Sequence, residues 1–246
     1  MPRQLSTSLL LLLVACEREV AVGHEHTSVD GEDSPPLLWH ADHEPGTLDQ
    51  WLADDAGWKY TQGSGDLSVT QDQARSGDYA LAATISTEDG AMHQAVMGRD
   101  ITLEQGRYGA WYYFPEAPTT DYWVIMKLSN GRDRDRFDID VHAPAGAPAR
   151  LRLYEHGEDY ITAPAESPLP VGEWVHVEAL YRSTPEEDGR LVVLQNGQVA
   201  FDTGPRRTAS DASVSFLVGS VSWWIAGGAQ TIYVDDASIE AAAMPF

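Results

Sequence analysis

Residues 136–142 read RFDIDVH, and their types and spacing suit proton-transfer chemistry. On a β-strand side chains alternate between faces. Phe137, Ile139 and Val141 would share one side, and Arg136, Asp138, Asp140 and His142 the other. Two carboxylates and an imidazole in line could act as acid, base and helper, or could simply solvate the wet side of a half-buried strand. Aspartate is short, and an arginine or histidine cannot serve as the nucleophile of a retaining glycoside hydrolase, whose two carboxyl groups lie about 5–5.5 Å apart. A hydrolytic carboxylate pair is therefore not expected here.

Neighbouring segments extend that face. In GAWYYF (109–114) alternation sends Ala110, Tyr112 and Phe114 inward and Trp111 and Tyr113 outward. In YWVIMKL (122–128) it sends Val124, Met126 and Leu128 inward and leaves Trp123, Ile125 and Lys127 outward. In ARLRLY (149–154) Leu151 and Leu153 point in, and Arg150, Arg152 and Tyr154 point out. If these strands adjoin, one surface collects Trp111, Tyr113, Trp123, Lys127, Arg136, Asp138, Asp140, His142, Arg150, Arg152 and Tyr154. Flat rings stack on the apolar faces of sugars, while guanidinium groups bind carboxylate or sulfate in bidentate fashion. Six of the chain's 16 basic residues fall between Lys127 and Arg152, although the 246-residue chain carries a net charge of −22. An anionic polysaccharide is the expected ligand. Nucleic acid is not, because phosphate binding needs broadly clustered positive charge.

The surrounding texture is short alternating runs separated by Gly, Pro, Asn and Asp, without helical periodicity beyond one turn near residues 47–57. Asn196-Gly197 marks a type I′ hairpin. The expected fold class is all-β, a two-sheet antiparallel jelly-roll sandwich over residues 37–242, within the length such folds reach. Residues 1–15 read as a signal peptide. Their apolar run is too short for a membrane helix, which needs about 20 residues. Leu13-Val14-Ala15-Cys16 matches the bacterial lipoprotein box, with Cys16 as the lipidated residue. Residues 16–36 are acidic and close on Pro35-Pro36, as a flexible tether would. His24 and His26 in that strip are expected to be solvated. Membrane attachment would be through the lipid only, at the outer membrane or cell surface, and the domain is expected to be a monomer.

WHADHEPGTLDQW (39–51), ARSGDYALAATI (74–85), PVGEWVHVEALYR (170–182), GRLVVLQNGQVAFD (189–202) and TIYVDDASIE (231–240) together resemble the concanavalin A-like lectin/glucanase superfamily. The likeness is greatest to polysaccharide lyases of the heparin lyase I type. The resemblance implies a curved sheet whose concave side holds a glycan. For a lyase it implies a Tyr or His base with a neutralising Arg, for which His142, Tyr113, Tyr154 and Arg136 are the candidates. It also implies a structural calcium, with Asp42, Glu44, Asp235 and Asp236 as ligands. The chain has VIMKLSN (124–130) where the lyases carry glutamine and histidine, so a glycan-binding lipoprotein is expected first. β-Elimination on a uronate glycan comes second, and a non-catalytic adhesion module third. Ser-His-Asp catalysis is not expected, since no G-x-S-x-G elbow occurs.

Overall fold

The computed structural model describes residues 35–130, 136–155, 161–162 and 167–242. Residues 1–34, with Cys16 and the two histidines of the expected tether, lie outside the described residues, as do residues 131–135. Fifteen strands and one short helix are described: β1 Leu37–Ala41, α1 Asp49–Leu52, β2 Gly57–Gln62, β3 Asp66–Thr70, β4 Ala80–Ser86, β5 His93–Thr102, β6 Gln105–Tyr113, β7 Thr120–Ser129, β8 Arg136–Ala143, β9 Arg150–Glu155, β10 Ile161–Thr162, β11 Trp174–Arg182, β12 Arg190–Gln195, β13 Gln198–Asp202, β14 Ser213–Ile225 and β15 Ala229–Ala241.

They form two antiparallel sheets packed as a jelly-roll sandwich. The first sheet runs β13-β12-β11-β6-β15-β4-β3, with β1 also paired to β15. The second runs β10-β9-β8-β7-β14-β5-β2. Inward residues of both sheets, among them Tyr108, Tyr112, Phe114, Phe137, Ile139, Leu151 and Phe216, make one buried core. Trp51 from α1 is fully buried in it, and its Nε1 donates to His43 Nε2 at 3.1 Å. The β12–β13 hairpin turns at Asn196 and Gly197, with φ of 51° and 75°, as a type I′ turn requires.

Two features of the second sheet shape its outer face. Between Val124 and Met126 the β7–β8 register shifts by one residue, so Ile125 and Met126 both enter the core. Such a bulge reverses the alternation upstream of it. Tyr122 and Val124 therefore face outward, and Trp123 faces inward. Gly219, at φ 131°, carries a similar irregularity in β14, where an added Cβ would lie 2.2 Å from the Ala95 carbonyl oxygen. No side chain fits there.

Candidate functional site

The outer face of the second sheet holds an open cleft of about 450 Å³. Its floor is formed by Val96, Tyr122, Leu217 and Val221, which with Val124 make a small apolar cluster separate from the main core, with Trp58 packed against it. Lys59, Tyr60, Met92, Gln94, Lys127, Ser129 and Ser215 complete the lining. Residue pairing sets Trp58, Gly98, Leu217, Lys127, Asp138 and Tyr154 in one row across β2, β5, β14, β7, β8 and β9. Five interstrand gaps of about 4.8 Å make that row roughly 24 Å long. An extended ligand lying across the strands would meet an indole at one end and cations and phenols at the other.

Glycine 98 is required by that row. A Cβ there would come within 2.4 Å of the Trp58 ring, so the indole lies directly over bare backbone. Its Nε1 donates to Asp100 Oδ1 at 3.2 Å, and Ser215 Oγ donates to the same oxygen at 2.6 Å. Gly98→Ala is expected to push the indole out of the row. Glycan retention on an affinity gel should then fall as far as in Trp58→Ala, several-fold in each, while both variants unfold cooperatively.

At the other end, β8 and β9 behave as their alternation predicts. Asp138, Asp140 and His142 face outward opposite Tyr154, Arg152 and Arg150 respectively. The two carboxylates are nonetheless fully buried by their neighbours. Tyr122 donates its hydroxyl to Asp138 Oδ2 at 2.9 Å, and the Trp223 indole stacks on the Tyr122 ring at 4.4 Å. Arg152 Nε donates to Asp140 Oδ1 at 3.0 Å, and the same guanidinium reaches the Asp121 carbonyl. Burial pushes the Asp140 carboxyl up to about 7. Arg152 opposes that rise and Asp138 adds to it.

Arg152 Nη1 also approaches His142 Nδ1 at 3.3 Å. A guanidinium can only donate, so Nδ1 is the acceptor and the hydrogen of the neutral ring resides on Nε2. His142 is thereby left with an N–H to donate at Nε2 and no free lone pair for a base. Arg150 Nε and Ser129 Oγ are both buried and find no partner among the described residues.

The sequence-derived surface is not wholly assembled. Trp111 and Tyr113 lie on β6, which belongs to the first sheet, between β11 and β15. They point outward as expected, but from the opposite side of the sandwich. The Arg75 guanidinium covers Trp111 at 3.9 Å, and the His176 imidazole stacks on it at 4.6 Å. Tyr113 packs between Trp174 and Tyr233. Trp123 is buried in the core against Phe114 and donates to Ser220 Oγ at 2.7 Å, because the β7 bulge inverts its side. Lys127, Asp138, Asp140, His142, Arg150, Arg152 and Tyr154 do share one face. Arg136 pairs with Ser129 through its backbone, and its side chain lies outside the described residues. Trp58, Tyr60, Tyr122, Val96 and Leu217 were not anticipated. The alternation of Trp58, Tyr60 and Gln62 in WKYTQ was the available signal.

The four residues named as calcium ligands all take hydrogen bonds from the protein. Glu44 accepts the backbone N–H groups of Asp78 and Tyr79, and Asp42 accepts from Gln50 and the Glu44 N–H. Asp235 accepts the backbone N–H groups of Arg75 and Ser76, while Asp236 pairs with the Arg75 guanidinium and the Ser76 hydroxyl. Among the described residues no three acidic or histidine side chains converge as a metal would need.

No family model matches the chain, and no curated protein matches it in sequence. Solved structures do match its fold. An endo-β-1,4-glucuronan lyase from the fungus Trichoderma reesei superposes with a TM-score of 0.63 at 16% identity, covering 84% of this chain and 96% of that one. A cellulose-induced protein, Cip1, gives 0.60 at 14% identity over 83% and 98%. An alginate lyase from Aplysia kurodai gives 0.60 at 10% identity over 84% and 100%. This chain shares the jelly-roll sandwich of those three proteins.

Proposed function

We propose that the chain binds an anionic polysaccharide across the outer face of its second sheet. One observation carries the reading. Lys127, one of only two lysines in a protein of net charge −22, lines the cleft and pairs there with Leu217 and Asp138 in the row that runs from Trp58 to Tyr154. Around it lie the surfaces a sugar chain needs: the rings of Trp58, Tyr60 and Tyr122, an apolar floor, and the guanidinium groups of β9. Export and lipidation at Cys16 would hold this cleft at the outer membrane or cell surface on the tether 16–36. The narrower likeness to heparin lyase I enzymes rests on the segments 170–182 and 189–202.

Uronate β-elimination is the second reading, favoured by the Tyr122–Asp138 hydrogen bond beside Lys127. A lyase needs a group to take the proton next to the uronate carboxylate and a cation to stabilise the developing charge. With His142 set as a donor, that base would have to be a phenol, Tyr122 or Tyr154, and not the imidazole. Incubating the lipid-free domain with alginate, glucuronan, heparin-like and neutral polymers distinguishes the readings. Retention of acidic polymers without ultraviolet-absorbing unsaturated ends is the expected outcome. New unsaturated ends would establish the lyase, and equal indifference to every polymer would sink both readings.

A further inference from the structure

Ser215, Leu217 and Val221 of β14 line the cleft, and Trp223 is the next residue of that alternation. A strand rises about 3.3 Å per residue, so the indole stands roughly 7 Å beyond Val221. It stacks on Tyr122, itself a lining residue, with ring centroids 4.4 Å apart and planes 16° from parallel. Even so, 44% of Trp223 remains exposed. Met92, 38% exposed, lines the same end of the cleft and precedes His93, the partner of Ser222. Indole and thioether thus form an apolar patch continuous with the cleft, the kind of surface that marks a contact. We propose that Trp223 is a subsite of the cleft, where an uncharged sugar ring of the bound polymer stacks. That assignment rests on the glycan reading and extends it from an anionic chain to one that also carries neutral sugars.

The indole is held ready for such a contact. Beneath it, the Tyr122 hydroxyl donates to Asp138 Oδ2 at 2.9 Å, which fixes the supporting ring. The buried Ser222 hydroxyl donates to the Tyr122 carbonyl at 2.5 Å and accepts the Trp224 N–H at 3.0 Å. Thr120 Oγ1 donates to the Trp224 carbonyl at 2.8 Å. The backbone on both sides of Trp223 is therefore tied to β7. One face of the indole lies on Tyr122, which leaves the other for a pyranose. A ring already held in place loses little freedom when a ligand settles on it. Trp224 makes the contrast. It is equally exposed, at 45%, but among the described residues no ring stacks on it.

Charge decides which sugar suits this end. His93, opposite Ser222, donates Nε2–H to Asp89 at 2.7 Å, and that bond holds the Asp89 carboxyl below its ordinary range. Asp121, exposed, directly precedes Tyr122. Arg152 reaches the Asp121 carbonyl, but its guanidinium is paired with Asp140. Lys127 lies five residues from Tyr122 along β7, roughly 16 Å away. A uronate carboxylate is better placed beside Lys127 than among the carboxylates near Trp223. The favoured ligand accordingly mixes uronates with neutral sugars, and a chain of uronates alone should bind less well.

Affinity electrophoresis with two kinds of polymer tests this. Neutral sugars separate the uronates in hyaluronan and gellan, whereas alginate is uronate throughout. Retardation by hyaluronan or gellan should exceed that by alginate at equal polymer concentration. It should fall at least fivefold in Trp223→Leu, stay within twofold in Trp223→Phe and be unchanged in Trp224→Ala. Leucine still covers Tyr122 but lacks a flat face, so its loss of binding would not come from an uncovered Tyr122. In the wild-type chain, bound polymer should protect Trp223 and not Trp224 from N-bromosuccinimide, located by peptide fragmentation. Retardation kept in Trp223→Leu, or lost equally in Trp224→Ala, overturns the subsite while leaving the glycan reading intact. Alginate bound as tightly as the mixed polymers overturns the uncharged sugar. A wild-type chain indifferent to all three polymers sinks the glycan reading and this subsite with it.

Discussion

Arg152→Ala should abolish polysaccharide retention and destabilise the fold by about 3 kcal/mol at pH 8, measured by denaturant unfolding. The side chain of Arg152 is nearly covered, at 11% exposed, and its partner Asp140 is wholly covered. Removing one member of such a pair leaves the other charge buried without compensation. The carboxyl of Asp140 already stands at about 7, so it escapes part of that penalty by taking up a proton. The loss should accordingly be smaller at pH 6 than at pH 8. Arg152→Lys restores the charge but not the planar fork that reaches Asp140, His142 and the Asp121 carbonyl together. It should recover part of the stability and little of the binding.

The same carboxyl gives the domain an unusual pH dependence. Its value in the folded protein, about 7, lies above the ordinary 3.8. Between those limits the unfolded chain holds fewer protons than the folded one, and stability must fall as pH rises from about 4 to about 7, then level off. A full displacement of that size corresponds to about 4 kcal/mol. Denaturant titrations across that range should show the decline, and Asp140→Asn should flatten it. Protonation of Asp140 also leaves the Arg152 charge uncompensated. Affinity for an anionic polymer that stays ionised should therefore strengthen several-fold between pH 8 and pH 6. An affinity independent of pH in the wild-type chain would separate Arg152 from ligand binding.

Strand alternation was the readable part of the site. In β8 and β9 no bulge intervenes, and every residue from Phe137 to His142 and from Arg150 to Tyr154 takes the side its period demands. In β7 one extra residue at Ile125–Met126 inverted Trp123 and Val124, and nothing local in YWVIMKL marks that insertion. Trp111 and Tyr113 illustrate a different limit. Alternation separates inside from outside, but not which of two sheets a strand joins. That depends on pairing with β11 and β15, which are distant in sequence. The opposite wall of the cleft escaped because β5 carries Gly98 where alternation would call for a side chain, and its meaning emerges only with Trp58 lying above it. The hydrogen bonds that Glu44 and Asp235 accept from the N–H groups of Asp78, Tyr79, Arg75 and Ser76 join segments distant in sequence and were not legible from it.

Affinity electrophoresis in an acidic polysaccharide, comparing wild type, Lys127→Ala and Trp111→Ala, addresses the placement of the ligand most directly. Lys127 stands in the middle of the cleft, and Trp111 lies on the far side of the sandwich. Retardation should be lost in Lys127→Ala and unchanged in Trp111→Ala. Retardation lost in Trp111→Ala and kept in Lys127→Ala would move the ligand to the other sheet and contradict this assignment.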